Sequence, residues 1–342
     1  MSAAHAAMRA SGGPRVLWHH DKHTAHFCPM SSAHATSLSA IQRQFDRRVT
    51  RFREHDFLFR EAQTRIFERL DLVRADPAQV LDLGCGQGRE LDALAQRFPQ
   101  ARLVGVDVSG RALAAARAQW RGPRSAWWRD WLGKRAQRLD LVQASFAALP
   151  FADAQFDMLY SNLALHFTAD TYATLLEWAR VSREGGLLMF SCFGPDTLKE
   201  VRAAMAQVLA TPAVIPYEDM HDLGDMLLQA GFADPVVDME YLTLTYRDVD
   251  TLLRELRAVT GNPLVARAHA LGGRKRLQGL RAALEAQRGS DGLLRVTIEL
   301  VNGHGWRAAP RQHSARAADG ASITHVPLDR LKRQRTDRGP GV

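Results

Sequence analysis

The stretch VLDLGCGQGRELDALAQRFPQARLVGVDVS, residues 80–109, limits the fold more than any other part of the chain. It runs from an apolar segment through a glycine turn and an amphipathic segment to a second apolar segment with an acidic end. That order predicts a strand over 80–83, a helix over 89–97 and a parallel strand over 102–106, the βαβ unit on which nucleotides bind. Ser109 then caps a helix reaching Gln119. The alternation continues with strands expected over 139–143, 156–160 and 186–192 and a helix over 171–182. Beyond residue 193 it changes. Helices are expected over 194–209, 220–232 and 248–259, and strands over 236–247 and 293–306. The class is therefore α/β: a Rossmann-like, seven-stranded, mostly parallel sheet with one antiparallel strand, helices on both faces and a helical lid.

Ahead of the first strand, Phe45, Val49, Phe52, Leu58, Ile66, Phe67 and Leu70 keep helical spacing, interrupted near His55 and Asp56, which predicts two helices. Residues 1–38 are small, polar and without period, and disorder is expected there. The histidines within them (His19, His20, His23, His26) and Cys28 have no packed scaffold to fix metal geometry, so no metal site is expected. One domain is expected over 39–307, with lid helices at about 194–232 and a basic part at 265–307, followed by a disordered basic tail over 308–342. In the segment WRGPRSAWWRDWLGKRAQR, Trp127, Trp128 and Trp131 fit an amphipathic helix docked on the sheet.

The chain's 342 residues, 46% of them apolar, suffice for one large domain with an elaboration. No run of about 18 apolar residues occurs, and the first 30 residues hold no continuous apolar h-region, so neither a membrane span nor a secretory signal is expected. The three cysteines lie far apart with no CxxC spacing, which argues against a disulfide framework or a zinc site and fits a reducing cytoplasm. The net charge of +8 is uneven. From Arg267 onward there are 15 Lys/Arg against 6 Asp/Glu, leaving the preceding residues close to neutral. Such a segment suits an acidic partner.

The turn Gly84-Cys85-Gly86-Gln87-Gly88 has GxGxG spacing rather than the GxGxxG of dinucleotide sites. Asp82, just before it, would repel a pyrophosphate but attract the ammonium group of S-adenosylmethionine. Asp107, 19 residues beyond Gly88, stands where an acidic side chain takes both ribose hydroxyls, with Val108 beside it. The cofactor read from these residues is S-adenosylmethionine. After the fourth strand, FDMLYSNLALHF brings Asn162 and His166 towards the position expected to line the reacting centre.

From about Ile41 to Trp306 the chain resembles the malonyl-acyl-carrier-protein O-methyltransferases of biotin synthesis, within the class I S-adenosylmethionine-dependent methyltransferases. LDLGCGQG, GVDVS, LPFADAQFDMLYSNLALHF and GGLLMFS carry the general likeness. FDRRVTRFREHDFLFRE, FGPDTLKEVR, DMHDLGDMLLQAGFADPVVDMEYLTLTYRD and NGHGW carry the specific one. The resemblance implies methyl transfer to the free carboxylate of a malonyl thioester on acyl carrier protein. It also implies adenine contacts at Ser145 and Phe146, catalytic roles for Asn162 and His166, and substrate contacts from Phe52, Lys199 and Arg202. Two positions depart from the family: Ser145 stands where Asp is common, and Phe52 where other branches often have Tyr. Acyl carrier proteins are acidic, so Arg274, Lys275, Arg276 and Arg281 become candidate docking residues. A monomer acting on neither nucleic acid nor membrane is expected. The competing readings are a related methyltransferase acting on another substrate and a non-catalytic assembly factor.

Overall fold

The computed structural model describes residues 42–43, 45–47, 49, 56–120, 138–208, 217–259, 274–309, 315–316 and 322–323, all within the compact unit His34–Val342. Expectations for residues 1–38, for Phe52 and for Trp127, Trp128 and Trp131 lie outside the described residues.

The sheet contains β1 (Gln79–Leu83), β2 (Arg102–Asp107), β3 (Leu139–Gln143), β4 (Phe156–Ser161), β5 (Ser182–Phe193), β6 (Phe232–Tyr246) and β7 (Leu294–Arg307), in the order β3-β2-β1-β4-β5-β7-β6. The pairs among β1 to β5 are parallel, while β7 is antiparallel to both β5 and β6. This is the expected seven-stranded sheet, and β7 is its single reversed strand. The order reverses at β1, where the next strands add on opposite sides, and in open α/β sheets ligands bind at that switch.

The helices are α1 (Phe57–Leu70), α2 (Leu91–Arg97), α3 (Gly110–Gln119), α4 (Thr171–Val181), α5 (Lys199–Ala206), α6 (Met220–Ala230), α7 (Val249–Val259) and α8 (Arg274–Glu285). Leu58, Phe59, Ala62, Ile66 and Leu70 recur at helical spacing along α1 and are all buried. The upper part of that stripe joins a core with α5, α7, α8 and the inner faces of β6 and β7; Ile66 and Leu70 join a second core with α2, β1 and β4. On the other face, α4 and α6 close a third core, in which Trp178 is fully buried. Arg65 and Arg69 of α1 pair with Glu240 and Asp238 of β6, tying the first helix to the sheet's edge. No helix among the described residues is long and apolar enough to cross a membrane.

Several boundaries differ from the sequence expectation. The helix expected from residue 194 begins only at Lys199, because Gly194 to Thr197 form a turn whose backbone bonds to Glu299, and Leu198 adopts a left-handed conformation at φ 62°. The last long strand is preceded by a helix that the sequence reading did not include: Leu280, Ala283 and Leu284 of α8 pack into the core. Its apolar spacing was legible, but its Arg-rich start obscured it. The tail expected to be disordered contains a short ladder pairing Ala315 with Ile323 and Arg316 with Ser322. So short a connection costs little closure entropy.

Candidate active site

The candidate site is a cavity of about 350 Å³ above the ends of β1, β2 and β4. Its floor is the glycine turn. The amides of Gly84 and Cys85 both donate to the Val106 carbonyl, at 2.8 and 3.0 Å, so the turn is stitched to β2. Gly84 has φ 80°, and a Cβ there would come within 2.6 Å of Ala164 Cβ, so no side chain fits. Gly88 is equally confined: its φ is 74°, and a Cβ there would stand 2.9 Å from Ala116 Cβ. Gly86 faces open space.

Asp107 closes the β2 end. Its Oδ2 accepts from the Gly86 amide at 2.9 Å and its Oδ1 from the Ser109 amide at 2.8 Å. Each oxygen keeps further acceptor capacity, and the residue lines the cavity with Val108. Burial pushes its carboxyl above the usual range, while those two amides pull it back. Ser145 and Phe146 form another part of the wall. The Ser145 Oγ accepts from the Ala147 amide at 3.2 Å, and the Phe146 carbonyl accepts from Trp178 Nε1 at 2.9 Å. Trp178 therefore positions this wall, a role its core-like sequence setting did not signal.

Some residues singled out from the sequence stand away from the cavity wall. Asp82 is 2% exposed and does not line the cavity; within β1 it pairs with Gly105 and Tyr160. Its Oδ2 is buried without a partner, and desolvation, with Glu90 and Asp107 nearby, raises its carboxyl well above the usual range. The carboxylates that reach the wall are Asp107, Asp170 and Glu90, the last lying just beyond the glycine turn and absent from the sequence reading. Asn162 lines the cavity, but its polar atoms are engaged. Nδ2 donates to the Phe59 carbonyl at 3.0 Å and to Glu90 Oε1 at 2.9 Å, and Oδ1 accepts from Ser191 Oγ at 2.8 Å. Its amide thus ties together α1, β5 and Glu90.

His166 does not line the cavity. Its ring lies 4.3 Å from that of Phe167 and 4.5 Å from that of Phe193, with Tyr217 edge-on at 5.6 Å. Burial lowers its pKa to about 3, and Nδ1 has no partner, so it is a neutral member of an aromatic cluster. Lys199 and Arg202 are likewise absent from the wall. Lys199 pairs with Asp196 at 2.9 Å and sits over the Tyr241 ring, and the Arg202 guanidinium donates to the carbonyls of Thr197 and Pro195. Both serve the turn before α5. Arg89 is instead the guanidinium on the wall among the described residues; it pairs with Asp56, which also holds Arg60. Arg281 is tied to Asp250 at 2.6 Å, and Arg274, Lys275 and Arg276 are exposed at the start of α8. Phe45 and Val49 complete the wall from the N-terminal side. Asp46 accepts from Ser109 Oγ at 2.6 Å, and the Val49 carbonyl accepts from Gln87 Nε2 at 2.8 Å.

Residues 81–190 match the family described as "Methyltransferase domain". A protein of Gallionella capsiferriformans named Malonyl-[acyl-carrier protein] O-methyltransferase is 40% identical over 285 residues, covering 83% of this chain and 94% of that protein. Proteins of the same name from Laribacter hongkongensis and Legionella pneumophila are 40% and 33% identical, over 82% and 81% of this chain and 93% of each of those proteins. The chain belongs to the malonyl-[acyl-carrier protein] O-methyltransferase family.

The methyl donor of this methyltransferase is S-adenosylmethionine, and the cavity fits it. Glu90, Asp107 and Asp170 line the wall against the one guanidinium of Arg89 among the described residues. Such a site favours a cation and disfavours a pyrophosphate. Gly86 leaves room above the turn, and Asp107 is held at its edge by the Gly86 and Ser109 amides.

Proposed function

We propose that this chain methylates the free carboxylate of a malonyl thioester carried by acyl carrier protein, giving the methyl ester that starts pimeloyl synthesis for biotin. The observation carrying this reading is the 40% identity to proteins named for that reaction, extending over 83% of the chain. When bound, S-adenosylmethionine supplies an electrophilic methyl group. A malonyl carboxylate is already ionised at neutral pH, so the chain needs no general base. The neutral, enclosed His166 is consistent with that economy.

What the protein's residues contribute is binding, orientation and exclusion of water. Asp107 is positioned for the ribose, while Ser145 and Phe146 border the adenine end. Phe45, Val49, Phe59 and Leu163 supply the apolar wall that strips water from a reacting carboxylate. Arg89, on the same wall, is the described cation suited to meet that carboxylate. Arg274, Lys275 and Arg276, exposed at the start of α8, suit the acidic surface of a carrier protein. Incubation of the purified protein with S-adenosylmethionine and malonyl-acyl carrier protein should give a carrier adduct heavier by one methyl group, and the gene should restore growth without biotin to an auxotroph lacking this step. A protein that binds the cofactor but methylates neither malonyl-acyl carrier protein nor malonyl-CoA would overturn the assignment.

A further inference from the structure

The site contains a buried carboxylate that the family motifs do not explain. Glu90 lies between the glycine turn and α2, is 7% exposed, and forms part of the cavity wall. Its orientation is fixed from across the sheet. Asn162, at the end of β4, donates to Glu90 Oε1 while its other bonds run to the Phe59 carbonyl of α1 and to Ser191 of β5. Two elements, α1 and β5, thus hold one amide, and that amide holds one carboxylate.

The charges around Glu90 do not balance it. Asp82 of β1 and Asp56 before α1 are carboxylates in its surroundings, Asp107 of β2 lines the same cavity, and the neutral Tyr160 hydroxyl of β4 is buried nearby. Arg89 is the neighbouring guanidinium, and its ion pair is with Asp56. A buried carboxylate without a dedicated cation costs several kcal/mol unless it is neutralised or met by a positive ligand. Burial indeed raises the Glu90 carboxyl, against the pull of the Asn162 hydrogen bond and of Arg89.

S-adenosylmethionine carries two positive centres. Only its ammonium has N–H donors, and a carboxylate already oriented by a neutral amide is suited to N–H donors rather than to a diffuse sulfonium. Asp82 has the right charge but lies off the wall. We propose that Glu90, oriented by Asn162, is the carboxylate that receives the ammonium group of S-adenosylmethionine. The inference rests on the methyl-donor assignment and extends it to one atom pair at the amino-acid end of the ligand.

The test compares two ligands by calorimetry: S-adenosylhomocysteine, which has the ammonium, and 5′-methylthioadenosine, which shares the nucleoside but lacks the amino-acid portion. Glu90→Gln retains an acceptor for Asn162 and removes the charge. It should weaken S-adenosylhomocysteine about tenfold or more, the usual scale of a charge-assisted hydrogen bond. Methylthioadenosine binding should change less than about twofold on the same scale. Glu90→Asp keeps the charge with shorter reach and should fall between the two proteins for the first ligand only; if the Gln variant does not fold, this variant carries the comparison. Unchanged S-adenosylhomocysteine binding would overturn the proposal, as would an equal loss for both ligands, which would make Glu90 a support of the turn. Failure of the wild-type protein to bind S-adenosylhomocysteine would refute the methyl-donor assignment itself, and with it the inference.

Discussion

His166 gives a measurable pH signature to the fold. Its Nδ1 is sealed from solvent without a partner, and the ring is enclosed by Phe167, Phe193 and Tyr217, although part of the residue reaches the surface. Burial lowers its pKa from 6.5 to about 3. In the unfolded chain the imidazole titrates near its ordinary value. Because the folded pKa lies below the unfolded one, the stability contributed by the neutral ring is present above about pH 6.5 and lost as pH falls towards the folded value. Between pH 7 and pH 5 the unfolded state takes up most of one proton that the folded state refuses, which amounts to at most about 2 kcal/mol. Asp82, Glu90 and Asp107 have raised carboxyls and act in the opposite sense. They are shared by wild type and His166→Phe, so a comparison of the two proteins isolates the imidazole. Urea unfolding at both pH values should show wild type losing up to about 2 kcal/mol more than the Phe variant on acidification. Equal losses would refute the sealed, neutral imidazole and reopen a titrating role for His166.

Asp107→Ala should weaken S-adenosylhomocysteine binding by about 1–3 kcal/mol, through stranded ribose hydroxyls and a loosened Gly86 amide, and calorimetry would read it; unchanged affinity would move the ribose elsewhere. Ser145→Asp preserves an acceptor for the Ala147 amide and adds a carboxylate for the adenine amino group, so cofactor affinity should rise; a fall would mean adenine is held differently. Gly84→Ala meets both a positive φ and a 2.6 Å approach to Ala164 Cβ, and should cost about 1–3 kcal/mol in thermal or urea unfolding, with no loss counting against the tight turn. Reversing Arg274, Lys275 and Arg276 to Glu should raise the apparent KM for malonyl-acyl carrier protein at low salt, mimic the effect of high salt on wild type, and spare malonyl-CoA and cofactor binding; unchanged kinetics would remove docking from the start of α8.

Local pattern was enough to specify the sheet. The apolar runs of β1 to β5, the Ser109 cap, which accepts from the Ala112 amide, and the GxGxG turn with Asp107 are signals within a few residues, and all agree with the same fold. They defined a parallel α/β unit, its ligand turn and the sign of charge that the ligand must carry. The sequence did not disclose which polar side chains face the cavity, because that depends on elements far apart in the chain. Asp82 and Glu90 stand eight residues apart with the same charge; pairing with Gly105 and Tyr160 buries the first, and the bond from Asn162 brings the second to the wall. Asn162 and His166 lie four residues apart near the end of β4, yet one becomes a hub joining α1, β5 and Glu90 and the other enters an aromatic cluster. Lys199 and Arg202 read as substrate cations until the turn at Pro195 to Thr197 and Asp196 claims both. Hydrophobic periodicity and turn chemistry are properties of neighbouring residues, so sequence alone determined the scaffold. Burial and the pairing of charges are properties of three-dimensional neighbours, and only the tertiary structure decided which acids and bases were left for a ligand.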